Sequence, residues 1–237
     1  MKRNLLLISN STLHGSGYLD HCADEIKNFL IDKKNVVFIP FARPGGISHD
    51  EYTRIAQDRF NKIGYKLSGL HEYNNPKEIL EEVEALYIGG SNTFVLLKGL
   101  YEAGIIEIIR KRVKDGLFYI GTSTGSNVAC KSIMTTNDMP IVYPPSFFAL
   151  NLVSFNINPH YIDPIQNSSH MGETREVRIK EFLFYNNEYV VGLREGSMLL
   201  IRDYDIILKG INGARVFKKD RDPLEFHSGD NLSFLLK

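Results

Sequence analysis

Cysteine is nearly absent from these 237 residues: Cys22 and Cys130 lie far apart, each inside a segment that reads as helical. That usage argues against a disulfide framework and fits free thiols packed as small hydrophobes. Net charge is absent as well, because 28 Lys plus Arg balance 28 Asp plus Glu. No global field therefore draws in nucleic acid or an anionic membrane, and neither is expected as a partner. Long apolar runs are also lacking. The opening MKRNLLLISNSTLHG carries only the run LLLI, too short for a signal peptide's apolar region and far too short to span a bilayer. The cytoplasm is the expected compartment. No clustered His and Cys spacing suggests a metal site, and no cofactor is expected. Internal repeats and low-complexity tracts are missing too.

What is present is an alternation of buried-strand and helical patterns, the signature of parallel strands joined by crossover helices. Strands are expected at Asn4–Ser9, Asn35–Ala42, Tyr65–Leu70, Ala85–Ile88, Leu117–Ile120 and Tyr189–Leu193. Leu19, Cys22, Ile26, Phe29 and Leu30 form one apolar helical stripe. Further helices are expected at Asp50–Lys62, Pro76–Val83, Ile105–Val113, Thr124–Lys131 and Glu173–Tyr185. From Met198 the runs shorten to Met198–Arg202, Ile206–Leu208 and Arg215–Lys218, the pattern of an antiparallel meander. Three prolines make Asp138–Pro145 an irregular, ordered loop. The expected architecture is one α/β domain over 1–237: three layers, a doubly wound, mostly parallel sheet and a C-terminal antiparallel extension.

The chemistry concentrates at strand ends. In LFYIGTSTGSNVAC an apolar strand runs into Gly121-Thr122-Ser123-Thr124-Gly125, and a helical pattern follows at once. This is the setting of a G-x-S-x-G nucleophile elbow, in which flanking glycines make room for a serine held in a strained turn. A helix N-cap is the competing explanation. A second strand ends in YIGGSNTF, so Gly90 and Ser91 reach the same carboxyl edge as Ser123. Their N–H groups, with that of Thr124, could face a developing oxyanion. Asn92 in the same loop either contacts substrate or caps the next helix.

A serine hydroxyl needs a neighbouring base. His160, in NINPHYID, follows an apolar run and a proline, whereas His14, His21, His49, His71, His170 and His227 read as solvated loop or helix-face residues. The base in turn needs a carboxylate. Glu195 follows the strand Tyr189–Leu193 in VVGLREGS, and Asp138 in TTNDMPIV is the alternative third member.

These motifs occur in one order in one family. LLLISNSTL, VFIPFA, GGSNTF, the segment around Ser123, TTNDMPIV, INPHY, MGETREVRI and GLREGS together resemble the α-aspartyl dipeptidases, also called peptidase E. The resemblance covers nearly the whole chain. It implies a flavodoxin-like or class I glutamine amidotransferase-like fold and hydrolysis of short peptides with an N-terminal aspartate. Nucleophile, base and third member fall on Ser123, His160 and Glu195, and the arginine that receives the substrate's side-chain carboxylate falls on Arg175. Members usually carry glycine where Ser91 stands and alanine where Thr124 stands, a departure that points to tuned rate or substrate size. Another hydrolase of the same scaffold, acting on aspartate-rich polymers such as cyanophycin, and a silent dipeptide-binding protein are the alternatives. Monomer and homodimer are equally open.

Overall fold

A computed structural model describes residues 2–164 and 172–236; His170 lies outside the described residues. Among the described residues, eleven strands and seven helices follow in the order β1 (Lys2–Ile8), α1 (Ala23–Leu30), β2 (Asn35–Ile39), α2 (His49–Lys62), β3 (Lys66–Gly69), α3 (Pro76–Glu82), β4 (Ala85–Ile88), α4 (Thr93–Glu102), α5 (Ile106–Lys114), β5 (Asp115–Thr122), α6 (Thr124–Val128), β6 (Asn156–Tyr161), α7 (Arg175–Tyr185), β7 (Val190–Arg194), β8 (Ser197–Arg202), β9 (Asp205–Gly210), β10 (Ala214–Phe217) and β11 (Leu224–Phe226).

Seven strands form the main sheet in the order β3-β2-β4-β5-β1-β8-β9. The first five pair in parallel, while β8 and β9 add antiparallel. Alternate residues of the central strands enter two different cores, as a pleat requires. Leu5, Leu7, Val37, Ile39, Leu86 and Ile88 pack under α3, α4 and α5. Leu6, Ile8, Val36, Phe38, Ala85 and Tyr87 pack under α1 and α2. Both faces are covered, which explains why β4 reads as an unbroken apolar run. Among the described residues no helix is long and apolar enough to cross a membrane.

The remaining strands form a second sheet, β11-β10-β7-β6. The sequence predicts a single sheet with a C-terminal meander; the structure divides that C-terminal part between two sheets. The hairpin β8-β9 extends the main sheet beyond β1, while β10 crosses to pair with β7. One face of the second sheet joins the main core through Ile157, Val191, Leu193 and Val216. Its other face is covered by α7 through Ile179 and Leu183. Short α6 packs against both β5 and β6, and so links the sheets.

Several boundaries differ from expectation: β2 ends at Ile39, three residues before Ala42, and polar caps set two helix starts. Ser48 and Glu51 form a capping box that starts α2 at His49, and Thr174 caps α7 so that it opens at Arg175 rather than Glu173. The helix after Ser123 stops at Val128, three residues before Lys131, where the chain turns.

Candidate active site

Ser123 leaves the end of β5 with φ 54 and ψ −112, a left-handed conformation that a residue with a Cβ adopts only under strain. Its surroundings hold it there. The Ser123 N–H donates to the Ile8 carbonyl at 2.9 Å, and its own carbonyl accepts the Ser126 and Asn127 N–H groups that start α6. The flanking glycines are required by contact. A Cβ at Gly121 would stand 2.5 Å from the Gly125 carbonyl oxygen, and one at Gly125 would collide with the Ile88 carbonyl. The serine therefore sits on a strand–turn–helix corner pressed against β4.

The loop after β4 lies directly beside it: a Cβ on Gly90 would be 2.8 Å from that of Ser123. The Ser91 main-chain N–H donates to Thr124 Oγ1 at 3.3 Å, and that hydroxyl faces the Gly89 carbonyl at 3.5 Å, so the loop after β4 meets the start of α6. Asn92 caps α4. Its Oδ1 accepts from the N–H groups of Phe94 and Val95, while its Nδ2 donates to the Met139 carbonyl.

His160 comes from the second sheet. It is the residue at which the pairing of β6 with β7 slips, a bulge with φ 52 at the histidine itself. A bulge re-aims the side chain of the residue it carries. Here Nε2 lies 2.8 Å from Ser123 Oγ and Nδ1 lies 2.6 Å from Glu195 Oε1. Glu195 follows β7, the parallel neighbour of β6, so the three side chains form one continuous hydrogen-bonded line. Asp138 is elsewhere: its Oδ2 accepts from Thr93 N, Thr93 Oγ1 and Thr136 Oγ1, locking its loop to the start of α4.

Two residues that the sequence motifs leave without a role hold this line in place. Ser9 Oγ accepts the His160 N–H at 2.9 Å and donates to the Leu193 carbonyl at 2.8 Å. Asn10 Oδ1 accepts the Gly196 N–H at 2.8 Å, next to Glu195, whose carbonyl accepts from Asn212 Nδ2. Their position immediately after β1, at the same carboxyl edge as Ser123, is the signal that could have found them.

Arg175 is half-buried at the start of α7 and has no ion-pair partner among the described residues. The neighbouring acids are engaged elsewhere, Glu173 with Arg178 and Glu176 with Lys180 and Arg215. Burial and the nearby Arg178 charge hold Arg175 below the usual arginine range, while Asp138 acts in the opposite direction. It is thus a partly desolvated cation, suited to an anionic group.

The other histidines divide. His14 and His227 are exposed, as expected. His71 pairs with Asp50 at 2.8 Å. His21 corrects the expectation of a solvated side chain: both ring nitrogens are shielded from solvent without a hydrogen-bond partner, and burial lowers its pKa against the pull of Glu195 and Asp20. Burial pushes both Cys22 and Cys130 up to about 12, so neither thiol is a nucleophile near neutral pH. Among the described residues no group of His, Cys, Asp and Glu is arranged to hold a metal ion.

Comparison with known proteins follows the same lines. Residues 5–209 match Peptidase family S51. The chain is 45% identical over 238 residues to a "Probable alpha-aspartyl dipeptidase" of Drosophila melanogaster, covering 99% of this chain and 98% of the relative. It is 46% identical over 233 residues to "Peptidase E" of Streptomyces coelicolor, covering 98% and 95%. In fold it is similar to a crystal structure of a peptidase from an acI-B1 Actinobacterium, with TM-score 0.75 at 17% identity, covering 99% of this chain and 98% of that one. A putative peptidase E protein from Listeria monocytogenes superposes with TM-score 0.65 at 24% identity, covering 90% and 100%. With a family match across most of its length and such identities over nearly all of it, this chain belongs to peptidase family S51.

Proposed function

We propose that the protein is a serine-type dipeptidase that hydrolyses dipeptides led by aspartate, with Ser123 as nucleophile, His160 as base and Glu195 as the carboxylate that orients it. The observation that carries this reading is the unbroken line Glu195–His160–Ser123, which ends on a serine held in a strained strand–turn–helix corner. The names of the relatives, alpha-aspartyl dipeptidase and peptidase E, support the reaction class and a short peptide as substrate.

In this mechanism His160 Nδ1–H donates to Glu195, which fixes the tautomer and leaves Nε2 free to accept the Ser123 proton. Ser123 Oγ then attacks the carbonyl of the aspartyl residue. The tetrahedral oxyanion is met by the Thr124 N–H at the start of α6 and by an N–H of the Gly90–Ser91 loop, each contributing roughly 3 kcal/mol when well placed. His160 returns the proton to the departing amine, and water resolves the acyl-enzyme by the reverse sequence. Arg175 pairs with the substrate's side-chain carboxylate. A neutral side chain there leaves a partly desolvated cation without a partner, so aspartate is preferred.

The test follows amino acid release from Asp-Leu, Glu-Leu and Ala-Leu by the wild type and by Ser123→Ala. Release from Asp-Leu that disappears in a folded Ser123→Ala variant and survives a chelator is the expected result. Full activity of that variant would overturn the mechanism.

A further inference from the structure

The loop that supplies the second oxyanion donor is gripped from below by a side chain outside the catalytic line. Tyr52, on α2, is 1% exposed, and its hydroxyl donates to the Gly90 carbonyl at 3.0 Å. The fit is close. A Cβ on Gly89 would overlap the Tyr52 ring, with Cζ only 2.8 Å away, while one on Gly90 would meet Ser123 on the opposite side. The loop is thus a single backbone thickness between the tyrosine and the serine. Tyr52 itself is fixed on three sides: Phe38 meets its ring edge-on at 5.0 Å, Tyr18 at 6.4 Å, and the Arg43 guanidinium lies 4.7 Å over its face.

A trans peptide is planar, with its C=O and the following N–H pointing in opposite directions. No peptide bond among the described residues is cis. Holding the Gly90 carbonyl against Tyr52 therefore turns the Ser91 N–H away from α2 and towards α6. An independent contact agrees, since that N–H is aimed at Thr124 Oγ1, one residue beyond the nucleophile. We infer that Tyr52 is a positioning residue for the reaction: its hydroxyl sets the plane of the Gly90–Ser91 peptide and so aims the oxyanion donor. This rests on the reading of Ser123 as nucleophile. Tyr52 acts through the peptide and does not touch the reacting atoms.

Because an oxyanion donor acts on the transition state and not on bound substrate, loss of its aim lowers kcat and leaves KM in place. Tyr52→Phe keeps the ring and deletes only the hydroxyl. Tyr65→Phe is the matched control, deleting a tyrosine hydroxyl that donates to a backbone carbonyl, that of Lys27, away from the site. The expected result with Asp-Leu is a kcat about 10- to 100-fold lower in Tyr52→Phe with KM within about twofold, and an unchanged kcat in Tyr65→Phe. An aspartyl boronic acid, which mimics the tetrahedral state on Ser123, should bind Tyr52→Phe more weakly by the same factor. Thermal melting establishes that both variants are folded. A Tyr52→Phe kcat equal to wild type, an equal loss in Tyr65→Phe, or a rise in KM alone overturns the inference. Wild-type turnover that survives in Ser123→Ala, or no turnover at all, overturns the parent reading and this inference together.

Discussion

Ser123 and His160 both occupy left-handed backbone conformations without being glycine. Such strain costs on the order of 1–3 kcal/mol, and it can be separated from the chemistry. Ser123→Gly should be more stable than Ser123→Ala by about 1 kcal/mol, read from thermal or urea unfolding, although both are inactive. Glu195→Gln keeps the shape but not the charge that supports a protonated His160, so kcat should fall about 10³-fold with little change in KM. Arg175→Ala should raise KM for Asp-Leu and lower kcat/KM by about 10²-fold or more while affecting Ala-Leu far less, a comparison of the two substrates' steady-state rates. Ser123 was legible because glycines at 121 and 125 stand between an apolar run and a helical one. His160 was legible only as a histidine at a strand end. Nothing in NINPHY announces that the histidine is the bulged residue.

At the scale of elements, three strand ends are tied by one hydroxyl. Ser9 follows β1, accepts the N–H of the bulged His160 in β6, and donates to the end of β7. Ser9→Ala removes the partner of the part-buried His160 N–H and one donor to the Leu193 carbonyl. It should cost about 1–3 kcal/mol in unfolding free energy. It should also lower kcat, because the bulge that aims Nε2 loses its anchor. Rescue by Ser9→Thr, which restores a hydroxyl, would distinguish this role from simple packing. Periodicity marked most elements of the parallel half, but helix Thr93–Glu102 was foreseen only as the segment that Asn92 would cap. Helix ends were not marked in this way, because polar side chains fix them: the Ser48–Glu51 capping box and the Thr174 cap shift two helices by a residue or two. Asn92 shows the same limit, since a residue fit to touch substrate is occupied as a helix cap.

At the scale of the whole molecule, periodicity says that a segment is a strand but not which sheet receives it. The runs from Met198 onward look alike in sequence, yet β8 and β9 join the main sheet and β10 the second one. The chain turns at Glu195-Gly196 after β7, and β8 then runs antiparallel along β1. Burial of His21 also acts on the whole fold. Its folded pKa lies below the unfolded value of 6.5, so on acidification the unfolded chain takes up the proton first. The stability is fully present above about pH 6.5 and is lost as the pH falls from there towards the folded pKa. Melting temperature should begin to decline below about pH 6.5, and His21→Gln, which does not titrate, should make that decline shallower.

The hydrogen-bonded line crosses from one sheet to the other, with Ser123 just after β5, His160 in β6 and Glu195 just after β7. During synthesis the serine and its neighbouring loop leave the ribosome well before β6, and β1 waits for β8 to complete its second edge. On the proposed mechanism, a nascent chain that ends before β6 carries a nucleophile without a base, so the enzyme is chemically silent until its last third has been made and docked.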